Sequence, residues 1–438
     1  MRKLTAPLAA LVFLSTAFAA SADTIVFRNA NVVSMTSPKV AEKQSVVVRD
    51  GKIDAILAPG AAIPEGATEV DASGKYLMPG LADMHAHLPP PSSPQGLLDD
   101  VLYLHLANGV TTIRTMLGQN GHLKLREWQR NGDIVAPNLY VAGPPFNNTL
   151  KSVDAAVEQV KAQKKEGWDL LKVLSGLPRD QYDAMARTAR AEGIRFGGHV
   201  PESVGLLHAI DMGQESFEHL DGFLEYLGDG KGKVDEKKLA ALVKRAKAAG
   251  IWVVPTLNLW EIQNNAVPLE TLRADPGLQY VPSRAAEMWS KMYTDRAESL
   301  TAEESKNVVN SRAHILAALY KGGVKILAGT DSPQQFDIPG FALHHELQSM
   351  KAAGMSTFDV LRSATVNAGE YFKSGEPFGT IEPGKRADLL LLSGNPLEDL
   401  ANVDRIEGVM VRGRWYPRAA IDERLAKAAA RYVPKPEP

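Results

Sequence analysis

The sequence predicts an α/β fold: a (β/α)8 TIM barrel with a small β-sandwich domain built from both chain ends. Two observations set this expectation. Between residues 76 and 377, short β-rich runs alternate eight times with stretches of helical periodicity, as repeated βα units do. On either side of that stretch lie short strand-like runs without helices between them. At 438 residues and 45% hydrophobic side chains, the chain can bury a large core, and one α/β barrel can take most of it.

In chain order, residues 1–22 read as a secretory signal. Arg2 and Lys3 give the positive start, Leu8 to Phe18 the apolar stretch, and Ala20-Ser21-Ala22 the small-residue cleavage site, with Ala17-Phe18-Ala19 as a second site. The run is short for a bilayer span, so no membrane span is expected after signal removal, and the predicted location is periplasmic or secreted. Residues 23–75 and 378–438 supply the β-sandwich domain. Thr24 to Val33 and Ser45 to Ile53, with an Asp50-Gly51 turn, read as strands at one end, and Ala387 to Leu392 and Gly408 to Tyr416 at the other.

Residues 76–377 form the predicted barrel. Its strands end near His87, Leu117, Phe146, Gly176, Val200, Leu220, Leu257 and Ser332. Helical periodicity fills the intervals, including Val153 to Gly167, Arg179 to Gly193, Glu236 to Gly250, Arg284 to Gly322 and Phe341 to Gly354, and many of these runs close on a C-capping glycine. The interval from Asn258 to about Thr301 is too long for a plain connection and reads either as a lid or as an irregular packing segment.

Formal net charge is −2, with 49 basic and 51 acidic residues and no block of like charge, which argues against nucleic acid or an anionic membrane as the main partner. The sequence has no cysteine, which excludes disulfides and thiolate chemistry; any metal site must use His and carboxylate ligands.

Asp83-Met84-His85-Ala86-His87 ends the first barrel strand. Residues two apart project from one face of a strand, so His85 and His87 aim at one point, a usable start on a transition-metal site. Four more ligand-type residues stand on later strands: Lys172 in the fourth, His199 and His219 ending the fifth and sixth, and Asp331 ending the eighth. Strand ends of such a barrel share one mouth, so five strands agreeing points to a metal centre. Lys172 has apolar neighbours on both sides, and a buried lysine is uncommon unless paired or chemically altered; the alternative is a packed stem with its amine in solvent.

With these residues in view, the chain resembles the two-metal, carboxylated-lysine branch of the amidohydrolase superfamily, in particular secreted imidazolonepropionase-like and prolidase-like dipeptidase members. The similarity runs from about Thr24 to Tyr416 and includes Pro79 to His87, Gly329-Thr330-Asp331-Ser332 and Gly379 to Leu389. The resemblance implies that His85, His87 and Asp331 hold a more buried metal ion, that His199 and His219 hold a more exposed one, and that Lys172, carboxylated by CO2, bridges them together with a hydroxide. It implies that Asp331 also moves the proton from that hydroxide to the leaving amine. Two divalent ions are expected, with Zn2+ favoured by an all-N/O donor set and manganese or cobalt as substitutes.

Tyr226, in the loop after the sixth strand, is a candidate hydrogen-bond donor to substrate, with loop packing as the other reading. Arg114, on the second strand, is a candidate clamp for a substrate carboxylate, with a structural salt bridge as the other. The expected activity is hydrolysis of a C–N bond in a small molecule such as a dipeptide or N-acyl amino acid. Ester, lactone or cyclic-amide hydrolysis on the same centre is the alternative, followed by a non-catalytic metal-binding protein. A small-molecule substrate is the expected partner, and self-association as a homo-oligomer is left open.

Overall fold

The structure is a computed structural model and describes residues 24–94, 96–229, 232–298 and 301–433. The predicted signal at residues 1–22 lies outside the described residues.

Strands from the two chain ends join in one mixed eight-stranded sheet. Its N-terminal members are β1 (Ile25–Val32), β2 (Ala41–Arg49), β3 (Lys52–Leu57), β4 (Thr68–Asp71) and β5 (Tyr76–Pro79). Eight short strands of the central region come next in the chain: β6 (Leu81–Ala86), β7 (Val110–Thr115), β8 (Asn138–Val141), β9 (Leu171–Val173), β10 (Phe196–Gly198), β11 (Ser216–Glu218), β12 (Trp252–Val254) and β13 (Lys325–Ile326). Then β14 (Leu389–Leu392), β15 (Ile406–Val411) and β16 (Arg414–Pro417) return to the mixed sheet, whose order is β16-β15-β14-β5-β1-β2-β3 with β4 beside β1.

The four leucines of β14 show how the sheet is seated. All four are buried; Leu389 and Leu391 point into a small core with Phe27, Val46 and Met410, while Leu390 and Leu392 join the main core of the molecule. A strand covered on both faces reads as a continuous apolar run, and this one does. The antiparallel pairing of β14 with β5 delivers the chain through Gly80 directly into β6. Gly80 has no room for a side chain, because a Cβ there would lie 2.2 Å from Thr111 Oγ1.

The central strands are all parallel, in one group of order β6-β7-β8 and another running from β9 to β13. Parallel bridges Ala142–Leu170 and Phe146–Val173 connect β8 to β9, and the bridge Ala86–Ser332 connects β6 to the segment after β13. Helices follow the strands, among them Leu97–Ala107, His122–Asn131, Val153–Glu166, Arg179–Glu192, Glu236–Ala249 and Phe341–Ala352. Gly167, Gly193 and Gly250 close three of these helices in the left-handed conformation that glycine adopts most easily.

The helical run expected from Arg284 to Gly322 is two helices, Ser283–Ala297 and Ala302–Lys321. The second starts on a capping box: Thr301 Oγ1 accepts from the Glu304 backbone N–H while the Glu304 carboxylate accepts from the Thr301 N–H. That sequence signal starts a new helix inside a stretch whose hydrophobic period hides the break. The long interval before it holds short helices Leu257–Gln263 and Leu269–Arg273, packed through Ile262 and Leu272 on Phe336 of the loop after Asp331. No described helix is long and apolar enough to cross a membrane.

Candidate metal centre

Every residue of β6 is buried, and the end of this strand is locked to the segment after β13. The Met84 N–H donates to Ala328 O at 2.9 Å and the His87 N–H to Ser332 O at 2.7 Å. Asp83 ties the same junction from beneath: its carboxylate accepts from the backbone N–H groups of His85 and Thr330, each at 3.1 Å, and from the Thr330 hydroxyl at 2.7 Å. Burial pushes the Asp83 carboxyl up to about 7, with these hydrogen bonds working the other way. Gly329 permits the close approach, since a Cβ there would stand 2.7 Å from the His85 backbone nitrogen.

The result is a convergence of donors. His85 Nε2 lies 3.0 Å and His87 Nε2 2.6 Å from Asp331 Oδ1. Ligand atoms of the three residues all fall within 4.8 Å of one another. The His219 ring sits 4.6 Å from that of His85 and 4.8 Å from that of His199, centroid to centroid. Lys172 Nζ, wholly buried, is 3.4 Å from His85 Nε2. The six predicted ligands thus form one connected cluster.

The imidazoles are held from behind. His85 Nδ1 meets Glu218 Oε2 at 2.8 Å, His199 Nδ1 meets Asp221 Oδ2 at 2.6 Å, and His219 Nδ1 meets Thr256 Oγ1 at 2.8 Å. A carboxylate at Nδ1 claims the ring proton there and leaves Nε2 as a lone pair. His85 Nε2 in turn faces the Asp331 carboxylate at 3.0 Å, a contact that a proton or a metal ion between the two atoms makes favourable. The donor set, imidazoles with a carboxylate whose ligand atoms lie within 4.8 Å of one another, fits a divalent metal ion.

The electrostatics agree. Burial, followed by the charge of Lys172, pushes His85 below its ordinary value, and burial drives His219 well below. Neutral imidazole is the ligating form. Lys172 is pushed down by burial to about 8, toward the neutral amine that can add CO2. Three residues of this shell have left-handed backbones that side chains seldom adopt: His219 at φ 63°, Thr256 at φ 46° and Asp331 at φ 74°. Strain of this kind concentrates at functional sites.

Residues 76–416 match the amidohydrolase family. The chain belongs to that family. Among relatives of this amidohydrolase, an adenine deaminase of Rubrobacter xylanophilus is 25% identical over 402 residues, covering 87% of this chain but 55% of the deaminase. The chain therefore spans about half the length of that relative. The ochratoxinase of Aspergillus niger is 22% identical over 427 residues, covering 82% of this chain and 79% of the relative. The solved structure of a Xaa-Pro dipeptidase with bound methionine in its active site superposes with a TM-score of 0.68 at 20% identity, over 90% of this chain and all of that one. At that identity it speaks for the fold alone.

The two predicted substrate contacts have partners of their own within the fold. Tyr226 is half-buried in the short helix Phe223–Leu227, its ring 5.7 Å from Lys238 Nζ. Arg114 is wholly buried behind His85, with its donors spent on Met84 O, Ser216 Oγ, Tyr371 OH and the Glu218 carboxylate. Residues that the sequence reading passed over are Glu218, Asp221, Thr256 and Asp83, which hold the ligand set. One signal was present: Ser216 and Glu218 are polar at alternate positions of a buried strand, with apolar Phe217 between them, as if lining a polar interior.

Proposed function

We propose that this chain is an exported, metal-dependent amidohydrolase that cleaves a C–N bond of a small molecule such as a dipeptide or N-acyl amino acid. In this reading the eight central strands close into a (β/α)8 barrel over residues 76–377, with the ligands at the mouth where strands meet the following loops. The parallel bridges at both junctions support closure. His85, His87 and Asp331 would hold one Zn2+ ion, His199 and His219 a second, and a carboxylated Lys172 would lie between them. Ions bound there would polarise the scissile carbonyl and lower the pKa of water.

The chain's own residues do the rest. Glu218 orients the His85 ring, and Asp83 and Gly329 keep the strand of His85 and His87 against the Asp331 segment. Asp331, whose side chain is 14% exposed, is the carboxylate of the set that water can reach. It takes the proton released as water oxygen bonds to the carbonyl carbon, and gives it to the nitrogen as the C–N bond breaks. Export rests on the signal pattern of residues 1–22.

The observation that carries the proposal is the meeting of His85 Nε2 and His87 Nε2 on one oxygen of Asp331. The test is metal content together with turnover of dipeptides, N-acyl amino acids, esters and lactones, for the native chain and Asp331→Asn. About two ions per chain, and amide turnover lowered by about 10²-fold or more in the variant, are expected. A metal-free active chain, or cleaved lactones with untouched amides, would overturn it.

A further inference from the structure

A polar cavity of about 410 Å3 lies where the central region meets the mixed sheet, and Arg130, Arg386 and Arg412 line it. Asn138, on its wall, is level with Ala82 in the parallel pairing of β6, β7 and β8. The cavity therefore stands at the other end of these strands from His85 and His87, and none of the six candidate ligands lines it. Part of its charge holds the fold together. Asp388, buried behind the wall, accepts from Arg386 Nε at 2.5 Å, from Asn138 Nδ2 at 3.1 Å and from the Arg412 backbone N–H at 2.9 Å. Arg386 NH2 donates to Thr112 Oγ1 at 3.0 Å.

The outer charges are not balanced in this way. Glu376 is the one acid on the cavity wall, and it accepts from NH1 and NH2 of Arg412 at 2.8 and 3.1 Å. The charges of Arg386 and Lys52 reach it as well. Arg130, half-exposed, makes no hydrogen bond among the described residues. Its one ion-pair contact is at 4.0 Å from Asp169, whose carboxylate Arg126 already takes at 2.6 Å. Arg414 lines an adjoining cavity together with Arg130 and Arg412. With Asp388 included, two acids stand against four arginines here, and a walled cleft of one sign concentrates ions of the other. Guanidinium groups bind the oxygens of phosphate and carboxylate in pairs, and a cavity of this volume suits a small organic or inorganic anion. A phosphate group carries both matching charges on one centre, whereas a carboxylate carries one. We propose that this cavity binds a small dianion of the phosphate type, inorganic phosphate or the phosphate of a monoester, with Arg130 as its main contact and Arg412 as the second.

The test is titration calorimetry of the full chain with inorganic phosphate, glycerol 3-phosphate and acetate, at fixed ionic strength and about pH 8, where phosphate is mostly doubly charged. Saturable binding of at least one phosphate probe is expected, weakened by about 10-fold or more in Arg130→Gln. Arg130 has few contacts to lose, so that variant keeps the fold, which its melting curve checks. Arg245→Gln removes an exposed arginine, paired with Asp211, that lines neither cavity, and it should leave the affinity unchanged. Tighter binding of glycerol 3-phosphate supports a monoester as the occupant, and tighter or equal binding of inorganic phosphate supports the free ion. No saturable binding of either probe would overturn the proposal, as would acetate binding equally well. So would an equal loss in Arg130→Gln and Arg245→Gln, which would mark a general effect of charge. Phosphate binding that vanishes on chelation and ignores Arg130→Gln would place the anion at the metal centre and overturn it too.

Discussion

Asn258 joins two buried acids that have no role in the ligand set. Its backbone N–H donates to Glu346 Oε2 and its side-chain amide to Asp337 Oδ1, both at 2.8 Å. One oxygen of each acid has no hydrogen-bond partner among the described residues. Burial pushes Glu346 up to about 8 and Asp337 well above the usual carboxylate range, and the charges of Asp331 and Glu346 add to the Asp337 shift. The folded chain therefore keeps the Glu346 proton at pH values where the unfolded chain, titrating near 4.5, has lost it. Stability is unaffected below that value, falls by about 1.4 kcal/mol per pH unit as pH rises, and levels off above the folded value. Glu346→Gln cannot ionise and keeps an acceptor for Asn258. Its melting temperature should gain on the native chain steadily between about pH 5 and pH 8 and then keep a constant lead. Parallel curves for the two proteins would show that Glu346 ionises freely in the fold. At the centre itself, Lys172→Ala should remove most bound metal and leave the fold, which elemental analysis beside circular dichroism would check.

At the scale of elements, the site depends on how closely β6 can lie against the segment after β13. Gly329→Ala places a methyl 2.7 Å from both the His85 nitrogen and Val254 Cγ1, so one strand must move. Displacing ligands by fractions of an ångström is costly, and Zn2+ affinity should fall by an order of magnitude or more while helix content is kept. Unchanged affinity in Gly329→Ala would mean that the junction is compliant. The exposed capping box of Ala302–Lys321 offers a contrast. Thr301→Ala should cost about 1 kcal/mol in denaturant unfolding and leave metal binding and turnover alone.

At the scale of the whole molecule, the ligand set gathers β6, β9, the ends of β10 and β11, and the segment after β13 into one point. Ions bound there would crosslink residues from His85 to Asp331, and binding to the folded state alone stabilises it by mass action. Chelation should lower the melting temperature by several degrees, and Zn2+ should restore it; at a hundred times the dissociation constant the gain is about 2.7 kcal/mol. Melting curves that coincide with and without chelator, on protein shown to have carried metal, would contradict this coupling.

Much of this molecule could be read from the chain because its signals are local. Alternation puts His85 and His87 on one side of a strand, glycine ends several helices, and a run such as Leu389 to Leu392 states its double burial in its own composition. That each of the six candidate ligands stands in a strand or in the segment that follows one could be read from the chain as well. The tertiary structure alone decided what stands behind those ligands. Glu218 meets His85 across 133 residues of chain and Arg114 across 104, and no period or spacing in the sequence encodes such a pairing. It also decided that Arg114 faces inward to an ion pair, because its strand lies beside the interior that Glu218 lines. Local patterns determine which element a residue joins and which way it points; the partner it meets is set only when distant strands take adjacent places in one sheet.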